Sequence, residues 1–121
     1  MQYCQIPESL TFVTFELDHI VAVQHGGVTT DVNLALTCLP CNKRKGPNLS
    51  SLDPATGALT PLFNPRTGNW PDHFKLNQDG FITGLTPAGR ATVRLLELNI
   101  ADRLEERRVF IAAGALVPTG D

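Results

Sequence analysis

The sequence predicts a small α+β fold, built as a single domain over residues 1–121. Three observations predict it. A short run rich in aromatic and β-branched residues and a second, short apolar run lie in the first third of the chain. A segment bounded by proline and Gly-Pro follows them directly. Apolar residues at helical spacing then occupy the last third of the chain. Hydrophobic residues make up 42% and charged residues 18%, the composition of a folded globular chain rather than a disordered one.

The first strand is predicted over Phe12 to Leu17, F-V-T-F-E-L, ending at the polar pair Asp18-His19. Gln24-His25-Gly26-Gly27 marks a turn, and Leu34 to Thr37 is an apolar run able to pair back. Cys38-Leu39-Pro40-Cys41 leads into Asn42-Lys43-Arg44-Lys45 and then Gly46-Pro47, the outline of a helix of about two turns. From Asn48 to Trp70, prolines and glycines recur every few residues and predict a loop, with Phe63 and Trp70 as its anchors. A brief strand over Phe81 to Thr83 follows the Asp79-Gly80 turn. Thr86-Pro87 reads as the N-cap and first position of a helix, with Ala88, Ala91, Leu95 and Leu98 on its apolar face. A second helix is expected from Ile100 to Ala113, capped by Asn99 and stopped by Gly114. The domain thus divides into a core at 3–46, a loop-rich segment at 47–83 and helices packed on it at 84–121.

Ten basic and twelve acidic side chains give a net charge of -2. That excludes holding nucleic acid by bulk positive charge, but not by a local basic patch. The N-terminus carries no basic-then-apolar signal pattern, and no stretch is long enough to span a bilayer, so the expectation is a soluble cytoplasmic protein. Three cysteines cannot all pair within one chain. Cys38 and Cys41 form a C-x2-C, which in a reducing compartment favours metal or redox chemistry over a structural disulfide.

The residues that carry chemistry are Asp18, His19, Asn33 and Asn42. A carboxylate oxygen on Asp18 and an amide oxygen on Asn42 are hard donors that suit Mg²⁺ or Mn²⁺, ions that accept phosphate oxygens in their open positions. A histidine beside such an ion has the right basicity to take a proton from water near neutral pH. The chemistry expected of this set is metal-assisted phosphodiester hydrolysis.

Read together, F-E-L-D-H-I-V, G-G, N-L-A-L-T-C and C-N-K-R-K-G resemble the HNH endonucleases, which have the ββα-metal fold. Fourteen positions separate His19 from Asn33, and nine separate Asn33 from Asn42. The resemblance covers Tyr3 to Gly46. P-L-F-N-P-R, N-W-P-D-H-F and G-L-T-P-A-G-R-A-T-V further resemble the C-terminal part of a compact bacterial and cyanobacterial HNH subfamily. The resemblance implies that His19 is the general base and that Asn33 braces it. It implies that Asp18 and Asn42 hold one catalytic divalent ion, and that the substrate is DNA, hydrolysed or nicked. It offers Lys43, Arg44 and Lys45 as phosphate contacts.

Members of this family often carry two C-x2-C pairs around a structural zinc, a zinc-ribbon-like site. Here Cys38 and Cys41 match one pair and Cys4 the other, whose partner position is Met1. Either the sequence starts inside the motif, or these three thiolates hold Zn²⁺ with a further donor such as water or His25, or the site binds none. The alternative to an enzyme is a non-catalytic zinc-ribbon-like module that binds nucleic acid or protein. A second Asp-His pair, Asp72-His73, lacks the downstream asparagines and reads as packing or a loop hydrogen bond. Arg90, Arg94, Arg103, Arg107 and Arg108 read as solvated faces and ion pairs interleaved with Asp102, Glu105 and Glu106.

Overall fold

The computed structural model describes residues 3–5, the strand backbones at 15–19 and 34–38, residue 41 and residues 44–119. Strand β1 (Phe15–His19) pairs antiparallel with β2 (Leu34–Cys38), with Leu17 opposite Leu36, Asp18 opposite Ala35 and His19 opposite Leu34. The strand runs through Asp18-His19 instead of ending before it. Asp and His have little intrinsic β preference, but pairing with a neighbouring strand overrides so weak a tendency. Cys41, Arg44 and Lys45 have helical backbone, and the turn stops at Gly46 with φ +51°, where the sequence places a helix end.

The segment expected to be loop folds instead as a hairpin of β3 (Ser50–Leu52) and β4 (Leu59–Pro61). Its prolines and glycines serve the turn rather than irregular chain. The Asp53 N–H donates to the Ala58 carbonyl at 2.9 Å, and Gly57 closes the turn at φ +72° with its N–H on the Asp53 carbonyl at 2.7 Å. The Asp53 carboxylate accepts from the Ala55 N–H at 2.9 Å and the Thr56 hydroxyl at 3.2 Å.

A short helix α1 (Trp70–His73) leads into a second hairpin, β5 (Phe74–Leu76) with β6 (Ile82–Gly84). In β5 the alternation puts Phe74 and Leu76 inside and Lys75 half out. Three residues are too few for that alternation to be legible in sequence. Helix α2 (Pro87–Leu95) starts as expected: the Thr86 hydroxyl accepts the Gly89 N–H at 3.0 Å, with Pro87 in the first turn. A Cβ at Gly89 would lie 2.2 Å from the His73 carbonyl oxygen, so glycine lets α2 seat directly on the α1–β5 junction.

Helix α3 (Ala101–Ala112) is preceded by Ile100, which makes no side-chain cap. Asn99, expected to cap it, is taken by β6: its Oδ1 accepts the Ile82 N–H at 2.7 Å and its Nδ2 donates to the Ile82 carbonyl at 2.8 Å. Ile82 is buried, and satisfying a buried strand edge outweighs capping an exposed helix end. Gly114 ends the helix at φ +75°. Thr119 adds to the far side of β5, donating its N–H to the Leu76 carbonyl at 2.8 Å and accepting the Leu76 N–H at 3.0 Å.

The core gathers Phe63, Phe74, Leu76, Ile82, Leu96 and Leu98 around the N-terminal residues Tyr3, Cys4 and Cys41. Phe63 meets Phe74 edge-on at 5.1 Å and Trp70 stacks on Phe74 at 5.0 Å, which makes both expected anchors part of one aromatic cluster. The Trp70 indole N–H donates to the Tyr3 carbonyl at 3.0 Å, fastening that cluster to the N-terminal segment. The fold is α+β, with small antiparallel sheets and helices. No helix among the described residues is long and apolar enough to cross a membrane.

Candidate functional site

The β1–β2 register brings Asp18-His19 and Leu34 to one end of the two-stranded sheet. In the sequence, Asn33 immediately precedes Leu34, the partner of His19. Asn42 follows Cys41, which is 1% exposed in the core. Asn33, Asn42, Lys43 and His25 lie outside the described residues, as do the side chains of Asp18, His19 and Cys38. Among the described residues no three His, Cys, Asp or Glu side chains gather as metal ligands.

Two of the three candidate zinc ligands are described, and both are buried: Cys4 at 0% and Cys41 at 1% exposure, in the same cluster. Beside them, from the opposite end of the chain, stands Arg107, itself 0% exposed. The Arg107 Nε donates to the Gly80 carbonyl at 2.6 Å and Nη1 to the Cys4 carbonyl at 3.4 Å. Its Nη2 donates to the Leu98 carbonyl and, at 3.2 Å, to Asn99 Oδ1. Burial pushes this guanidinium down to about 10, Arg103 adding to the fall, while Cys4, Cys41 and Glu106 oppose it. It is therefore still a cation at neutral pH. The sequence reading of Arg107 as a solvated residue is corrected here. Nothing in the helical spacing marks it, because most of its partners are backbone carbonyls, which any sequence supplies.

The basic triplet behaves differently from the expectation where it is described. Lys45 is 2% exposed, its Nζ within 3.5 Å of the Gly46 carbonyl. Arg44 turns back onto the C-terminal half, with Nε 3.0 Å from Glu97 Oε2 and Nη1 donating to the Leu96 carbonyl at 3.3 Å. Both cations thus have partners within the fold where phosphate contacts were expected. His73 is structural, as read: its Nδ1 lies 2.7 Å from the Thr86 hydroxyl, and its ring packs 5.2 Å from Phe63.

One further charged pair escaped the sequence. Arg90 grips Asp53 in both directions of its fork, Nε to Oδ1 at 2.9 Å and Nη2 to Oδ2 at 2.8 Å. The Arg90 guanidinium, with the turn hydrogen bonds from Ala55 and Thr56, lowers the Asp53 carboxyl to about 2, against the opposing effect of its burial. The pair clamps the β3–β4 turn to α2. Only the acidic turn residue hinted at it.

Comparison with known proteins bears on the N-terminal part. Residues 2–48 match the family model described as HNH endonuclease. That span takes in both strands at the converging sheet end, the C-x2-C and the helical turn after it. It stops short of the later segments that resemble the compact subfamily. No curated protein and no solved structure matches the chain. The segment from residue 2 to residue 48 therefore matches the HNH endonuclease family, a relationship that points to nuclease-type interaction with nucleic acid.

Proposed function

We propose that this protein is a metal-dependent endonuclease that hydrolyses or nicks DNA, with its active site at the end of the β1–β2 sheet. The observation that supports the reading is the register that sets Asp18 opposite Ala35 and His19 opposite Leu34, at one end of the β1–β2 sheet inside the HNH match. Asp18 and Asn42 would hold one Mg²⁺ or Mn²⁺. Their carboxylate and amide oxygens fit a hard cation, and such an ion supplies charge neutralisation at the phosphate when bound. His19 takes the proton from the attacking water, and Asn33 holds the imidazole in the orientation that this requires.

The buried thiols of Cys4 and Cys41, with Cys38 completing the C-x2-C, suit a structural Zn²⁺ with one further donor. Purified protein incubated with supercoiled plasmid and Mn²⁺ is expected to nick it, and EDTA to stop the reaction. His19→Ala should lower the rate by about 10²- to 10⁴-fold, the usual contribution of a positioned general base. Nicking that survives EDTA or is undiminished in His19→Ala rejects the reading.

A further inference from the structure

Outside the HNH segment, a cleft opens between β6 and α2. It encloses about 240 Å³ and is walled by Pro54, Phe81, Ile82 and Val93, with Arg90 and Arg94 at its rim. The volume is below that of a drug-sized pocket and suits one flat ring system.

Phe81 is 43% exposed yet held firmly. Its N–H donates to Asp79 Oδ1 at 3.0 Å, and its carbonyl accepts from both the Asn77 N–H at 2.9 Å and Asn77 Nδ2 at 3.0 Å. An aromatic ring on so restrained a backbone offers a stacking face at little entropic cost.

The charges around the cleft favour one kind of occupant. Arg90 is neutralised by Asp53, its bidentate partner. Glu97, one turn beyond Arg94, is drawn off by Arg44 at 3.0 Å. Arg94 is exposed and has no ion-pair partner among the described residues, so the rim carries one uncompensated positive charge beside an aromatic, apolar wall. A planar heterocycle with a single adjoining anionic group complements that surface, and a nucleotide unit has this form. Bases inside a duplex are stacked and cannot enter such a cleft, whereas those of an unpaired strand can.

We propose that the β6–α2 cleft binds one unpaired base of a single-stranded DNA segment, stacked on Phe81, with Arg94 on the neighbouring phosphate. The proposal rests on the nuclease reading for its choice of DNA as ligand. In this arrangement the C-terminal half holds unpaired DNA while the HNH segment performs the cleavage.

The test measures fluorescence anisotropy of labelled oligothymidylate and of a labelled hairpin duplex. Every protein carries His19→Ala so that neither probe is cut. Phe81→Ala is expected to weaken oligothymidylate binding by about 5- to 100-fold, Phe81→Tyr to keep it, and both to leave duplex binding within about twofold. Arg94→Gln should reduce the slope of log affinity against log salt by about 0.7, the loss of one phosphate contact on a single strand. Unchanged oligothymidylate affinity in Phe81→Ala overturns the proposal, and so does an equal loss on both probes. Plasmid nicking by the wild-type protein is scored separately. Nicking without Phe81-dependent strand binding rejects the cleft alone, and strand binding without nicking rejects the nuclease reading alone.

Discussion

Replacing Arg107 by methionine is the most demanding test of how this fold is held together. The substitution keeps an unbranched side chain, so the cavity left behind is small. It removes every hydrogen bond from the guanidinium, and two of the carbonyls it serves, those of Gly80 and Leu98, sit deep in the structure. A buried carbonyl left unsatisfied costs about 1–3 kcal/mol, so the two together cost about 2–6 kcal/mol. The Cys4 contact at 3.4 Å is long and adds little. Removing a buried charge returns part of that loss, which places the expected net destabilisation near 3 kcal/mol. With a urea slope of about 1.5 kcal/mol/M, the unfolding midpoint should fall by about 2 M. Arg107→Lys keeps the charge but cannot reach both carbonyls at once, and should lose at least about 1 kcal/mol. A midpoint within about 0.5 M of wild type in Arg107→Met would refute the view that this guanidinium satisfies otherwise stranded backbone.

Other consequences are open to simpler measurements. The Asp53 carboxyl sits at about 2 in the folded chain against 3.8 ordinarily, so its contribution is complete above pH 4 and is lost as the pH falls towards 2. Thermal melts should therefore show Asp53→Asn well below wild type at pH 6, the gap closing by pH 2; a gap that persists at pH 2 would contradict the clamp. Gly89→Ala should destabilise by more than about 2 kcal/mol, because its methyl would press on the His73 carbonyl at 2.2 Å. Gly57→Ala, with nothing within 4 Å, should cost only the strain of φ +72°, about 1 kcal/mol. Chemical denaturation of the two variants side by side separates these effects, and equal losses would show that the α1–α2 contact is not tight.

The parts of this molecule legible in its sequence are those written by local chemistry. Thr86-Pro87 announces a helix start because a hydroxyl and a fixed φ act within one turn. Phe63 and Trp70 announce anchors because aromatic area must be buried somewhere. The HNH segment is legible because its residues recur at fixed spacing. The β3–β4 hairpin was not, since Pro54 and Gly57 serve tight turns and loops equally well. What distinguishes the two is Asp53 meeting Arg90, thirty-seven positions away. Asn99 misleads for the same reason: whether an asparagine caps the next helix or pairs with a strand depends on which needs it more, and Ile82 lies far off in sequence. Arg107 is the extreme case, a charged residue on a charged helix whose place in the core is set by the carbonyls of Cys4, Gly80 and Leu98 and by Asn99.

The Arg107 and Trp70 contacts also bear on timing. Tyr3 and Cys4 are among the earliest described residues to leave the ribosome, yet the groups that seat them, the Trp70 indole and the Arg107 guanidinium, come 67 and 103 positions later. Such distant closures slow folding and delay the final core until the α3 helix has emerged. Tyr3 and Cys4 thus wait for partners that are made well after them. During synthesis Cys4 awaits α3, and the core around it is complete only once that helix has docked.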